Sequence, residues 1–144
     1  MLITNHVLAG ALIGDQLPPA AGVAAGFVSH FVMDNLPHYG HMGALPLDIP
    51  LAKKDGILGL VAIAGCTLAA GPEQRLPVLA GIFGACLPDT DKLAEYFIGH
   101  NPWPDVVNRF HSRIQREAGH RLPYEILTGL TLAATAAAVL RRGQ

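Results

Sequence analysis

Long uncharged segments alternate with short polar breaks along this chain. Counting histidine as uncharged, the runs cover residues 1 to 14, 16 to 33, 56 to 72, 76 to 88 and 126 to 140. Each run is too long and too rich in alanine and leucine for an ordinary strand, so the pattern predicts helices. Most runs are shorter than the roughly 20 residues that cross a bilayer straight. We therefore expect some to span a membrane and others to be half inserted or buried in a bundle.

Prolines and polar clusters mark the breaks between these helices. Pro18 and Pro19 separate the first two helices, and Pro37 ends the second because proline lacks a backbone N–H. We expect a loop over residues 37 to 55 and a short turn over 71 to 75. The chain then becomes polar between residues 88 and 121.

Two short helices and one long helix are predicted in the remaining sequence. Asp89 or Thr90 can cap the helix "DKLAEYFI", which Gly99 would stop. A second, amphipathic helix is expected from about residue 105 to 119, and the last helix from about 124 to 140. The fold class is therefore all-α, a compact bundle of about five to seven helices forming one domain over residues 1 to 144.

Composition bears on whether such a bundle lies in a membrane or in water. Charged residues make up 15% of the chain, against about 25% in ordinary soluble domains. This favours a membrane-embedded protein, with an unusually apolar soluble bundle as the alternative. Arg141 and Arg142 favour a cytoplasmic position for the end of the last helix, but residues 88 to 121 at its other end carry one lysine and four arginines, so the pattern leaves the orientation open. The net charge of -1 argues against nucleic acid as a partner.

Small residues recur at a spacing that suits close helix packing. Gly10 and Gly14 are four residues apart, as are Gly22 and Gly26. This spacing lets helix backbones approach closely in lipid. The two cysteines, Cys66 and Cys86, lie in separate apolar runs without metal-site spacing, so we interpret them as buried free thiols.

The segment "GFVSHFVMDNLPHYGHMG" carries the first candidate chemistry. His30 and Asp34 are four residues apart, so on a helix they share one face and can reach one metal ion. His38 follows Pro37 and can fold back to the same point. The alternative is an interior histidine hydrogen-bonded to a neighbour, with Asp34 bound to backbone or arginine. His41, in a loop, is expected to face solvent.

Further residues of the kinds that bind metals occur elsewhere in the chain. His6 begins the first helix, where Thr4 or Asn5 could act as a cap. Asp89 and Asp91 in "LPDTDK" lie where an apolar helix ends, and can either cap a helix or bind a divalent metal.

The amphipathic helix adds another histidine. Its predicted inward stripe consists of Val106, Val107, Phe110 and Ile114. His111 borders this stripe, as a ligand or as a boundary histidine. Arg109 and Arg113 can point outward or towards a phosphate. Ionisable groups in a membrane or dry core are costly unless they pair or bind something, so a metal cluster would explain these residues together.

The motifs "TNH", "SHFVMDNLPH", "LPDTD" and "FHS" together resemble those of the predicted membrane-bound metal-dependent hydrolases. This bacterial group is related to the zinc-dependent phospholipase C-like helical fold. The match runs from the first to the last motif, with the HxxxD motif before LPDxD rather than after it. The resemblance implies metal ligation by His6, His30, Asp34, Asp89, Asp91 and His111, to which His38 is added from its position in this chain.

The leading hypothesis is a helical protein of the bacterial inner membrane that hydrolyses a phosphate ester, such as that of a lipid. Zinc is the expected cofactor, with manganese or iron as alternatives. Asp89 and Asp91 are the catalytic candidates, since either could bridge metals or orient the attacking water. The alternatives are a non-catalytic metal-binding membrane protein and a structural bundle with incidental histidines. The apolar helices could also pair between chains as a homo-oligomer.

Overall fold

The computed structural model of the protein describes residues 1–40 and 49–143, which contain α-helices and 3₁₀-helices but no β-strand. The α-helices are α1 (Ile3–Asp15), α2 (Pro19–Asp34), α3 (Ile49–Ala69), α4 (Arg75–Cys86), α5 (Thr90–Ile98), α6 (Asp105–Ile114) and α7 (Leu122–Leu140). Two 3₁₀-helices, Gly119–Arg121 and Arg141–Gly143, flank α7. The predicted all-α fold class and helix number are confirmed.

Helix α3 starts earlier than the sequence pattern indicated. The predicted loop over residues 37 to 55 is wrong for 49 to 55, which belong to α3, while 41 to 48 lie outside the described residues. The charged residues near the start of α3 are compatible with a helix. Lys53 and Lys54 are exposed, and Asp55 is buried with hydrogen-bond partners.

Those partners replace the predicted cap of α1. The residue before α1 is Leu2, and neither Thr4 nor Asn5 caps the helix, because both lie inside it. Instead, the Asp55 carboxylate accepts the backbone N–H of Ile3 at 2.6 Å and that of Thr4 at 3.1 Å. A carboxylate from α3 thus satisfies the free donors at the start of α1.

Helix α6 ends at Ile114, five residues before the predicted end at Gly119. The next residues are extended and pair with the chain after α2: the His38 N–H donates to the Arg116 carbonyl at 3.1 Å. Because their backbone groups pair with the chain after α2, these residues do not continue α6.

The predicted inward stripe of α6 is also partly wrong. Val106 and Phe110 are exposed, and the helix buries His111 instead. The reason is that α6 turns His111, rather than Val106 and Phe110, towards the interior.

Helices α1, α2 and α4 pack with their backbones almost in contact. A side-chain carbon added at Gly81 of α4 would overlap the Gly10 carbonyl oxygen of α1. One added at Gly26 of α2 would overlap the Gly81 carbonyl oxygen, and one at Gly14 would overlap that of Pro77. Close approach is therefore confirmed for three of the four predicted glycines, whereas Gly22 has ordinary spacing of 3.5 Å to α4.

The interior of the bundle is unusually polar. Of the described residues, ten apolar side chains are buried, and so are ten polar or charged ones. The apolar core contains Val7, Leu8, Ala11, Cys66, Ala70, Val78, Ile82, Ala136 and Leu140. Cys66 is a buried free thiol as predicted, and Cys86 is only partly buried.

The exterior is correspondingly apolar. Among the described residues, 21 large apolar side chains are exposed, on helices α2 to α7 and just after α2, including Leu60 and Leu68 of α3 and Leu130 of α7. In the described part of the chain, one helical stretch, Gly119–Leu140, is long and apolar enough to cross a membrane.

Replacing Gly81 with alanine should destabilise the bundle, because backbone atoms of α1 cannot move aside as a flexible side chain would. We expect Gly81→Ala to lower the free energy of unfolding by about 3 kcal/mol. Gly65→Ala is the matched control, because Gly65 lies within α3 with nothing within 4 Å of an added Cβ. Thermal unfolding in detergent should show a lower midpoint for the first variant and an equal or higher one for the second. Equal midpoints for Gly81→Ala and wild type would contradict this packing.

Candidate metal centre

Asp34, the last residue of α2, lies at the centre of the buried polar cluster. Its Oδ1 is 3.2 Å from His6 Nε2 on α1 and 2.7 Å from the Met1 amino nitrogen. Its Oδ2 is 3.1 Å from His30 Nε2, one turn earlier on α2, and 2.9 Å from His111 Nε2 on α6. Three histidines from three helices therefore converge on one carboxylate with no solvent exposure.

The tautomer of His30 follows from a backbone contact. Its Nδ1 is 2.8 Å from the Ala85 carbonyl oxygen of α4, which can only accept a hydrogen bond. Nδ1 therefore carries the proton, and in a neutral ring Nε2 presents a lone pair. That lone pair faces Asp34 Oδ2 and lies 3.2 Å from His111 Nε2. Facing acceptors repel unless a proton or a metal ion lies between them.

Asp89 and Asp91 close the other side of the cluster. Helix α4 ends at Cys86, and the following turn brings Asp89 to within 3.8 Å of His30 Nε2. Asp91, in the first turn of α5, has Oδ2 3.4 Å from His111 Nδ1. Asp89 precedes α5 but does not cap it with its side chain, and Gly99, with φ +68°, ends the helix as predicted.

Six of these residues form three overlapping groups. Within each group, the atoms that could bind a metal lie within 4.8 Å of one another. The groups are His6, His30 and Asp89; His30, Asp34 and His111; and Asp89, Asp91 and His111. Imidazole nitrogens and carboxylate oxygens suit zinc, iron or manganese. Because His30 has one free ring nitrogen, the two groups that share it cannot bind separate ions through it.

The structure thus brings together six of the seven predicted ligands, and places His38 elsewhere. His38 is buried, its Nδ1 donates to the Leu36 carbonyl at 2.8 Å, and its Nε2 lies 3.8 Å from Glu117 Oε1. The three groups do not include it, so its ligand role stays a prediction. Arg109 and Arg113 are exposed on α6, and His41 lies outside the described residues.

Burial and hydrogen bonding set the protonation of two histidines in opposite directions. Burial lowers the pKa of His6 to about 4, despite the hydrogen bond to Asp34 that opposes the shift. His6 is therefore neutral near pH 7, the form that binds metals. Burial would lower the pKa of His111 too, but its hydrogen bonds with Asp34 and Asp91 raise it to about 9. His111 must therefore lose a proton when it binds a metal.

Lys92 and Gln115 contact the centre and were missed from the sequence. Lys92 Nζ lies 2.6 Å from Asp89 Oδ1, and Gln115 Nε2 donates to Asp34 Oδ2 at 2.7 Å. Burial would raise the pKa of Asp89, but the Lys92 charge holds it well below its usual range. The three-residue spacing from Asp89 could have identified Lys92. Gln115 had no such signal, because its contact depends on the end of α6.

No protein-family model, curated protein or solved structure matches this chain. The geometry of the buried polar cluster is therefore the basis for assigning a function to this protein.

Removing a central ligand should abolish metal binding. We expect His30→Ala and Asp34→Asn to bind zinc at least about 100-fold more weakly than wild type, because loss of even an outer-shell partner costs 10- to 100-fold. His100→Ala is the control, since His100 is exposed and outside the three groups. Elemental analysis and zinc titration of the purified proteins provide the measurement. Equal zinc content in wild type and His30→Ala would exclude the centre.

Proposed function

We propose that this protein is a metal-dependent hydrolase of phosphate esters that acts at the bacterial cytoplasmic membrane. The observation that carries the proposal is the convergence of His6, His30 and His111 on Asp34, with the His30 lone pair fixed towards that carboxylate. Such a donor set fits a divalent ion, with zinc favoured and manganese or iron as alternatives. The group of His30, Asp34 and His111 would hold it, with Asp89 and Asp91 at its rim.

A bound ion of this kind supplies a Lewis acid and an acidified water at neutral pH. Asp89 and Asp91 would be the carboxylates that orient a water at the rim, and Asp91 would be the better proton acceptor, because Asp89 is paired with Lys92. The side chains of both aspartates are 12% exposed, whereas those of His30 and Asp34 are completely buried. They therefore lie between the buried ligands and solvent, where a substrate would arrive.

A non-catalytic metal-binding membrane protein is the second candidate. The nearly closed centre favours it, because structural metal sites are completely enclosed by protein ligands, whereas catalytic sites keep one position open. A sensor, chaperone or transport component would fit this geometry. Hydrolysis assays on the metal-loaded protein separate the two functions.

Substituting a rim carboxylate should reduce hydrolysis more than metal content. We expect Asp91→Asn to lower the rate on phosphate esters by about 100-fold or more, the usual effect of losing a general base. Asp105→Asn is the control, because Asp105 is exposed at the start of α6. The assay covers phosphate monoesters, diesters and phospholipids with zinc-loaded protein. If zinc-loaded wild type hydrolyses none of them, the non-catalytic function replaces this proposal.

The membrane setting is supported by the apolar exterior. Patches of exposed apolar side chains of this extent mark membrane or protein contact surfaces, and Gly119–Leu140 satisfies the length and composition needed to cross a bilayer. We infer insertion in the cytoplasmic membrane, with Arg141 and Arg142 favouring a cytoplasmic end of α7.

Insertion predicts resistance to alkaline extraction. After expression in bacteria, the protein should stay in the membrane pellet when the membranes are washed with carbonate at high pH. A peripheral protein would be released by the same wash and serves as the control. Recovery of this protein in the supernatant would favour the soluble bundle.

A further inference from the structure

Lys92 connects the buried centre with solvent. It lies in the first turn of α5, and its Nζ donates to Asp89 Oδ1 at 2.6 Å. Its side chain is 43% exposed, compared with 12% for Asp89. The Lys92 side chain therefore extends from the buried Asp89 carboxylate to the surface.

Side-chain exposure shows which side of the centre solvent can reach. It rises from zero at His30 and Asp34 to 4% at His111 and 12% at Asp91. The accessible edge is thus the one formed by the turn before α5 and its first residues. Lys92 is the basic side chain on this edge.

Lys92 also brings a basic side chain to the centre. Among residues 1–40 and 49–143, it is the one lysine or arginine side chain that forms an ion pair with the three groups. Arg109 and Arg113, the phosphate-binding candidates from the sequence, are exposed without such an ion pair. An ammonium has three donors, and the side-chain contact with Asp89 uses one.

We propose that Lys92 is the anion-recognition residue of the centre and binds the phosphate oxygens of the substrate. The proposal deepens the hydrolase function and rests on it. The flexible four-carbon stem lets the ammonium stay near Asp89 or turn one donor towards an arriving phosphate. Charge-assisted hydrogen bonds to phosphate are about twice as strong as neutral ones, so a single lysine makes a measurable difference. A free phosphate ester and a lipid headgroup share this chemistry.

Phosphate binding to zinc-loaded protein tests the proposal without depending on turnover. The probes are inorganic phosphate, followed by calorimetry, and dihexanoyl phosphatidic acid in the same detergent. We expect Lys92→Ala to weaken phosphate binding about tenfold or more, with zinc content unchanged, and Lys92→Arg to retain most of the affinity. Arg75→Ala is the control, because Arg75 is exposed at the start of α4.

The outcomes separate this role from a purely structural one. Unchanged phosphate affinity in Lys92→Ala would overturn the proposal, as would loss of phosphate binding in Arg109→Ala alone. Loss of zinc together with phosphate in Lys92→Ala would also overturn it, because Lys92 would then act by holding Asp89. Lysine-dependent phosphate binding without any hydrolysis would support the Lys92 role while contradicting the hydrolase function.

The two probes distinguish the source of the phosphate. Tighter binding of phosphatidic acid than of inorganic phosphate, lost in Lys92→Ala, would assign a lipid headgroup. Equal affinities would assign a soluble phosphate ester. If the protein binds no zinc, the same titrations on metal-free wild type and Lys92→Ala decide the role of Lys92.

Discussion

The carboxylate of Asp34 makes the hydrogen bonds on which the rest of the structure depends. It is fully buried, and a buried carboxylate is costly unless hydrogen bonds or positive charge surround it. Its contacts with His6 and His111 connect α1 and α6 to the end of α2, and Gln115 adds a further donor from the residue after α6. One buried carboxylate therefore links three helices of the bundle.

The glycine contacts have a chemical consequence as well as a packing one. Gly26 of α2 fits against Gly81 of α4 because neither carries a side chain. One turn further along both helices, the same closeness brings His30 Nδ1 within 2.8 Å of the Ala85 carbonyl oxygen. That hydrogen bond fixes the tautomer that directs the His30 lone pair into the centre. The backbone spacing of two helices thereby sets the orientation of the His30 ring.

Local spacing predicted part of this centre and could not predict the rest. His30 and Asp34 were correctly placed on one face, because a helix fixes the relative positions of residues four apart. Pro37 correctly indicated a break after α2, but the direction of His38 depended on pairing with the segment after α6. The same pairing ended α6 at Ile114 and aimed Gln115 at Asp34. Contacts between segments about 80 residues apart leave no periodic signal in either one.

The distribution of polarity connects the centre with its surroundings. In the described part of the chain, as many polar as apolar residues are buried, while many large apolar side chains are exposed. Lys92 lies next to exposed Leu93 on α5, and Phe97 is exposed one turn further along. The helix that carries this cation thus also exposes large apolar side chains. An amphiphile with a phosphate headgroup would match both features at once, and this is the physical basis for including a lipid among the substrates that we propose.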